Sequence, residues 1–215
     1  MNRFHLFISV ILLSSILFEL PQSHAEFRGH VILIHGYGRS ASAMRVMAHQ
    51  FRAHGYIPHT INYSSLTSSI EEAEAEVTHE IDQLLKGRST EIHFVGHSLG
   101  GLLARAYLAK HKPHLLGRVV TLGSPNHGTP AVDHLMQKWW FGLVGSTALA
   151  LRSGGSKFLS SLPKPNYALG VIAGVSHHPF VKGTKFDGRH DGLVPLKSTE
   201  VIGMTDYCVL NSNRT

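Results

Sequence analysis

A single cysteine in 215 residues leaves no internal disulfide to staple the chain, so the fold must rest on its core. Cys208 lies in the apolar stretch Tyr207-Cys-Val-Leu210 and reads as a small buried hydrophobe rather than a reactive thiol. Charged residues are scarce too, at 16%. The net charge is +6, but Lys and Arg form no run and do not interleave with aromatics. That pattern excludes a nucleic-acid footprint and leaves solubility and weak attraction to anionic surfaces. Metal-ligand spacing is lacking as well. The 17 histidines are spread singly, and His177-His178 is the one adjacent pair. No metal and no organic cofactor is implied. Long apolar runs are also missing: Phe4 to Leu17 is short for a membrane span, and Glu19 interrupts its end.

What is present suits one globular domain with a sizeable core, since 43% of the residues are hydrophobic. The N-terminus stands apart. Arg3, the apolar stretch Phe4 to Leu17 and the small residues of Ser23-His24-Ala25 have the layout of a secretory signal peptide over 1–25. The expected location is secreted or periplasmic, with the domain spanning 26–215. An uncleaved membrane anchor is the alternative.

Beyond the leader, strand-like runs alternate with helical patterns. His30-Val-Ile-Leu-Ile34 is a continuous β-branched run, as in a strand buried on both faces. Ala41 to His54 places Met44, Met47, Ala48 and Phe51 at helical spacing. Tyr56 to Tyr63 predicts a second strand. Ser69 to Leu85 predicts a helix whose acidic first half suits the macrodipole. Further strands are expected at 91–95, 118–122, 168–174 and 207–210. This alternation predicts an α/β fold, with a mostly parallel central sheet and helices on both faces. Between Thr129 and Pro165 the alternation breaks, and Trp139-Trp140-Phe141 appears there. This stretch, about 130–165, reads either as a cap or lid insertion over the sheet or as ordinary packing helix.

The most informative residues are Gly96-His-Ser-Leu-Gly100. A strand precedes them and a helical run, Gly101 to Ala109, follows. A serine hydroxyl is a poor nucleophile unless it is presented clear of the backbone, beside a base and near amide donors. A sharp strand-to-helix turn achieves this, and the flanking glycines let neighbouring elements approach. The bland alternative is a tight glycine turn with a bystander serine.

With that motif in this context, the chain resembles the α/β-hydrolase superfamily, and within it the secreted lipases and esterases. Three further segments carry the resemblance. His35-Gly36-Tyr37-Gly38 looks like the oxyanion segment, Val120 to Pro130 looks like the loop after the next strand, and Asp191-Gly-Leu-Val-Pro195 resembles the acid-bearing loop. The resemblance implies ester or lipid substrates and transient contact with a lipid surface. Ser98 would be the nucleophile, and the backbone amides of Leu99 and Tyr37 would hold the oxyanion. Asp191 would orient the base, with Asp187 or a plain turn aspartate as the alternatives. His35 is expected to pack and hydrogen-bond rather than to react. His190 is expected to be exposed.

The base is the difficulty. The superfamily order is nucleophile, acid, histidine, but no histidine follows Asp191. Arg214 stands where the resemblance places the histidine, and a guanidinium cannot accept the serine proton. The final helix of the family pattern is also expected to be missing, which suggests a truncated or altered copy. Two readings stay open: an esterase or lipase whose base is His127 or another histidine, and a catalytically impaired hydrolase-like protein with a binding role.

Overall fold

The computed structural model describes residues 27–138, 146–176 and 179–211. Six strands form one sheet: β1 (His30–Ile34), β2 (Ile57–Ile61), β3 (Ile92–His97), β4 (Leu116–Leu122), β5 (Leu169–Val175) and β6 (Asp206–Asn211). Their order is β2-β1-β3-β4-β5-β6, and every neighbouring pair is parallel. All five residues of β1 are buried, which its unbroken apolar run required.

Alternation along β1 sends its side chains to two cores. Ile32 and Ile34 join Phe94, Leu102 and Leu103 in the larger one, beneath α2 (Ile70–Leu85) and α3 (Leu99–Lys110). Val31 and Leu33 join Met44, Ala48 and Val95 on the opposite face, beneath α1 (Arg45–Ala53). Helices therefore cover both faces, as expected. The helix predicted over 41–54 begins as one 3₁₀ turn, Ala41–Met44, before α1 proper.

Helix α2 starts where its sequence says it should. The Ser69 hydroxyl accepts from the Glu72 N–H at 3.2 Å, and the Glu72 carboxylate accepts from the Ser69 N–H at 2.7 Å. This capping box satisfies two amide donors that a helix start leaves unpaired. Ile70, Ala73, Val77 and Ile81 then form the buried stripe.

The stretch at 130–165 contains α4 (Pro130–Met136), a 3₁₀ turn (Ser146–Leu151) and α5 (Lys157–Ser161). Its described part is rooted in the larger core through Ala148, Ala150, Leu151 and Leu159. The Thr147 hydroxyl donates to the Ser68 carbonyl and ties the 3₁₀ turn to the start of α2. Trp139, Trp140 and Phe141 lie outside the described residues, as do residues 1–26 (which hold the expected leader), His177-His178 and Arg214. A last short helix, α6 (Leu196–Thr199), precedes β6.

One expectation is corrected. Cys208 is a free, exposed thiol rather than a buried hydrophobe. It sits on β6, which among the described residues pairs only with β5 and keeps no residue fully buried. An apolar stretch on a sheet edge does not gain two covered faces. No helix among the described residues is long and apolar enough to cross a membrane.

Candidate active site

Parallel strands deliver their C-terminal ends, and the loops that leave them, to one edge of the sheet. Three such loops carry the residues singled out above. Strand β3 ends at His97, and α3 starts at Leu99, so Ser98 alone makes the turn between them. Its backbone sits at φ 52°, ψ −120°, and Ser98 is the one non-glycine residue with positive φ among those described. Such a conformation costs on the order of 1–3 kcal/mol and persists only where the surroundings enforce it.

The enforcement is visible. The Ser98 N–H donates to the Leu122 carbonyl at 2.8 Å, and the Ser124 hydroxyl donates to the Ser98 carbonyl at 2.8 Å. The flanking glycines are required sterically: a Cβ on Gly96 would stand 2.4 Å from the Gly101 Cα, and one on Gly100 would stand 2.3 Å from the Ile34 carbonyl oxygen. Helix α3 is buried without interruption from Leu99 to Leu108, which anchors the turn from below. Its positive dipole end faces Ser98.

The loop after β1 crosses directly beside this turn. A Cβ on Gly36 would lie 3.1 Å from the Ser98 Cβ and 2.9 Å from the His97 Nδ1. The Arg39 N–H donates to the Gly36 carbonyl at 3.2 Å, closing a turn with Tyr37 and Gly38 at its tip. The Gly38 N–H donates to the Ser65 hydroxyl at 3.0 Å, which pins that tip. Among the described residues neither the Tyr37 amide nor the Leu99 amide has an acceptor; Leu99 is the first helical residue and has no helical carbonyl one turn behind it.

His35 fits the expected packing part. It is wholly buried, and its ring stacks on Tyr63 with centroids 4.2 Å apart. Its Nδ1 lies 2.9 Å from the Gly36 carbonyl oxygen, and Tyr63 donates its hydroxyl to the His35 carbonyl at 2.8 Å. Burial pushes the imidazole pKa below its usual value.

Asp191 sits across the same edge. One carboxylate oxygen accepts from the Leu193 and Val194 amides at 2.8 and 2.7 Å. The other lies 3.2 Å from where a Gly123 Cβ would stand, and the Asp191 Cβ lies 3.0 Å from where a Gly174 Cβ would stand. The loop thus rests on the ends of β4 and β5. Asp187 is exposed and has no hydrogen bond or ion pair among the described residues. His190 is half-buried rather than exposed: it stacks on Phe186 and accepts the Gly192 N–H at 3.0 Å.

The sequence did not single out His97, the residue just before Ser98. Its side chain keeps an exposed face, yet the protein around it lowers its pKa. The Asp191 carboxylate acts in the opposite sense, while Arg39 and His35 reinforce the lowering. Asp191 is therefore within electrostatic reach of the serine turn. Nor did the sequence single out Ser124, whose hydroxyl holds that turn; the run Gly123-Ser-Pro125 was its one trace.

The base is not brought in with the rest. Among the described residues no side chain bonds the Ser98 hydroxyl. Among the described residues His127 bonds only through its amide, to Ser198, and it lines a separate cavity with Arg105 and Leu159.

Comparison with known proteins places this geometry. Residues 30–162 match the family model described as palmitoyl protein thioesterase. A triacylglycerol lipase of Pseudomonas fragi is 38% identical over 90 residues, which cover 38% of this chain and 30% of that protein. A triacylglycerol lipase of Burkholderia plantarii is 27% identical over 120 residues, which cover 52% of this chain and 33% of that protein. The chain thus spans about a third of the length of these curated relatives. Among solved structures, the mature Bacillus licheniformis lipase BlEst2 superposes with a TM-score of 0.64 at 20% identity, over 87% of this chain and 84% of that one. A monoacylglycerol lipase of Paleococcus ferrophilus gives 0.56 at 13% identity, over 87% and 86%. The family match takes in the Gly36 loop and the serine turn and ends before Asp191. The chain belongs to the palmitoyl protein thioesterase family and has the α/β-hydrolase fold.

Proposed function

We propose that this chain is a serine hydrolase of the lipase and esterase kind, cleaving carboxylic esters through an acyl-Ser98 intermediate. The observation that carries this reading is the backbone of Ser98: the one non-glycine residue at positive φ among those described is the residue the motif nominates. Strain of this kind clusters at functional sites.

The chemistry follows from the placement. The Ser98 hydroxyl attacks the acyl carbonyl and gives its proton to a base. The carbonyl oxygen becomes an oxyanion facing the Leu99 and Tyr37 amides, donors fixed before the reaction begins. Collapse expels the alcohol, which takes the proton back from the base. Water then attacks the acyl-serine by the same route and releases the acid. Asp191, with one oxygen held by two amides and the other without a hydrogen-bond partner among the described residues, suits the orientation of an imidazole. A thioester follows the same course with a thiol leaving, and the description of the matching family names such a bond. No cofactor is called for. The cap reading of 130–165 belongs to this proposal as a cover whose described ends are rooted in the core.

A second reading is a hydrolase fold retained for binding, without turnover. It draws on the lack, among the described residues, of any imidazole bonded to Ser98. Hydrolysis of matched short-chain oxygen esters and thioesters by the full chain and by Ser98→Ala separates the two. Turnover that is lost in Ser98→Ala supports the enzyme. Equal, background rates for both proteins support the binding reading.

A further inference from the structure

The buried cation Arg105 has no part in the scheme above. It lies on α3, two turns past Ser98, and is 6% exposed. One terminal nitrogen donates to the Asn126 side-chain oxygen at 2.6 Å and the other to the Pro163 carbonyl at 3.1 Å. Its Nε has no hydrogen-bond partner among the described residues. No carboxylate pairs with it: the ion pairs among the described residues involve His93, Lys110 and His111. A buried charge without a counter-charge is costly and asks for compensation.

Arg105 forms part of the wall of a cavity of about 480 Å³. The wall is amphiphilic. Leu159, Leu162 and Val201 supply apolar surface, and Lys164 adds a second cation. Lys164 lies along Gly203 and has no carboxylate partner. Glu200 is the one acid in the wall; it is exposed and pairs with none of these cations. A cavity lined by both cations and apolar side chains matches an anion that carries an apolar tail.

We propose that this cavity is a binding site, separate from Ser98, for a carboxylate with a medium-length hydrocarbon tail. Arg105 and Lys164 supply the field that holds the head, and Leu159, Leu162 and Val201 hold the tail. The site does not depend on turnover at Ser98, so it stands or falls apart from the hydrolase reading.

Calorimetric titration of the full chain with sodium decanoate tests this, with decanol and inorganic phosphate as comparison ligands. Decanoate should bind at least about tenfold more tightly than decanol, because only the former carries the charge. Phosphate at equal concentration should not displace it, because phosphate lacks the tail. Lys164→Glu should weaken decanoate about tenfold and leave decanol unchanged. Leu162→Trp should weaken both by filling the chamber, while Ser98→Ala should weaken neither. Arg105→Met risks the fold and is read only where its circular dichroism matches the parent; there it should weaken decanoate as Lys164→Glu does. Equal affinity for decanoate and decanol, decanoate binding untouched by Lys164→Glu, or loss of binding in Ser98→Ala would each overturn the proposal.

Discussion

Ser124 donates its hydroxyl to the carbonyl of Ser98 at 2.8 Å, across the gap between the β4 loop and the serine turn. The bond fixes the residue whose backbone is strained, from a loop residue that lies 26 positions later in the chain. A Cβ on Gly101 would stand 2.1 Å from that same hydroxyl oxygen, so the glycine leaves room for the tie. Removing it leaves a carbonyl without its partner and lets Ser98 relax. Ser124→Ala should lower stability by about 1 kcal/mol, the usual worth of one such bond, seen as a lower urea midpoint. It should also slow covalent labelling of Ser98. Unchanged labelling would mean that the turn is held without Ser124.

The choice between two aspartates makes a second prediction. Asp191 is bound by two amides and seated on the ends of β4 and β5, whereas Asp187 is exposed and unbonded among the described residues. Asp191→Ala should slow the reaction of Ser98 with an active-site phosphonate by at least about tenfold. Asp187→Ala should leave that rate unchanged. The reverse pattern in stopped-time labelling would hand the role to Asp187.

Stability should fall in mild acid because of a histidine pair on the β1–β2 edge. His30 Nδ1 and His59 Nε2 lie 2.8 Å apart, and their rings stack at 5.0 Å. Burial lowers the His59 pKa to about 4, with His30 and Arg88 adding to the effect; burial also lowers that of His30. In the unfolded chain both return to the ordinary histidine value of about 6.5. The unfolded state therefore binds more protons below that value, and stability drops as pH falls from about 6.5 towards 4. From pH 7.5 to 5 the loss from His59, a half-buried ring that solvent partly screens, should be on the order of 1 kcal/mol. Urea midpoints measured at both pH values check this, and His59→Phe should flatten the difference. A midpoint that does not move would contradict the linkage.

The leader makes a prediction about location. Export with cleavage after Ala25 should give a mature protein whose first residue is Glu26, read by N-terminal sequencing. A cell-associated protein that still begins at Met1 and partitions with membranes would support the anchor instead.

The sequence showed the parts of this site that are local. The serine turn could be read because strand, glycines and helix follow one another within about twenty residues. The preference for Asp191 over Asp187 came from the residues just after it. The parts built across the fold could not be read that way. Ser124 acts on Ser98 only because β3 and β4 are neighbours, and Gly174 seats Asp191 only because β5 ends beneath it. Cys208 misled because an apolar pattern does not say whether its strand lies inside the sheet or at its edge. Arg105 was one residue in an apolar helical run, and nothing local marked it as a buried cation without a counter-charge.

The central claim is that Ser98 is the nucleophile. The most direct test treats the full chain with a fluorophosphonate and maps the adduct by peptide mass spectrometry. The account predicts one adduct, on the peptide holding Gly96 to Gly101, and none in Ser98→Ala. An adduct on another serine, with Ser98 unmodified, would contradict it.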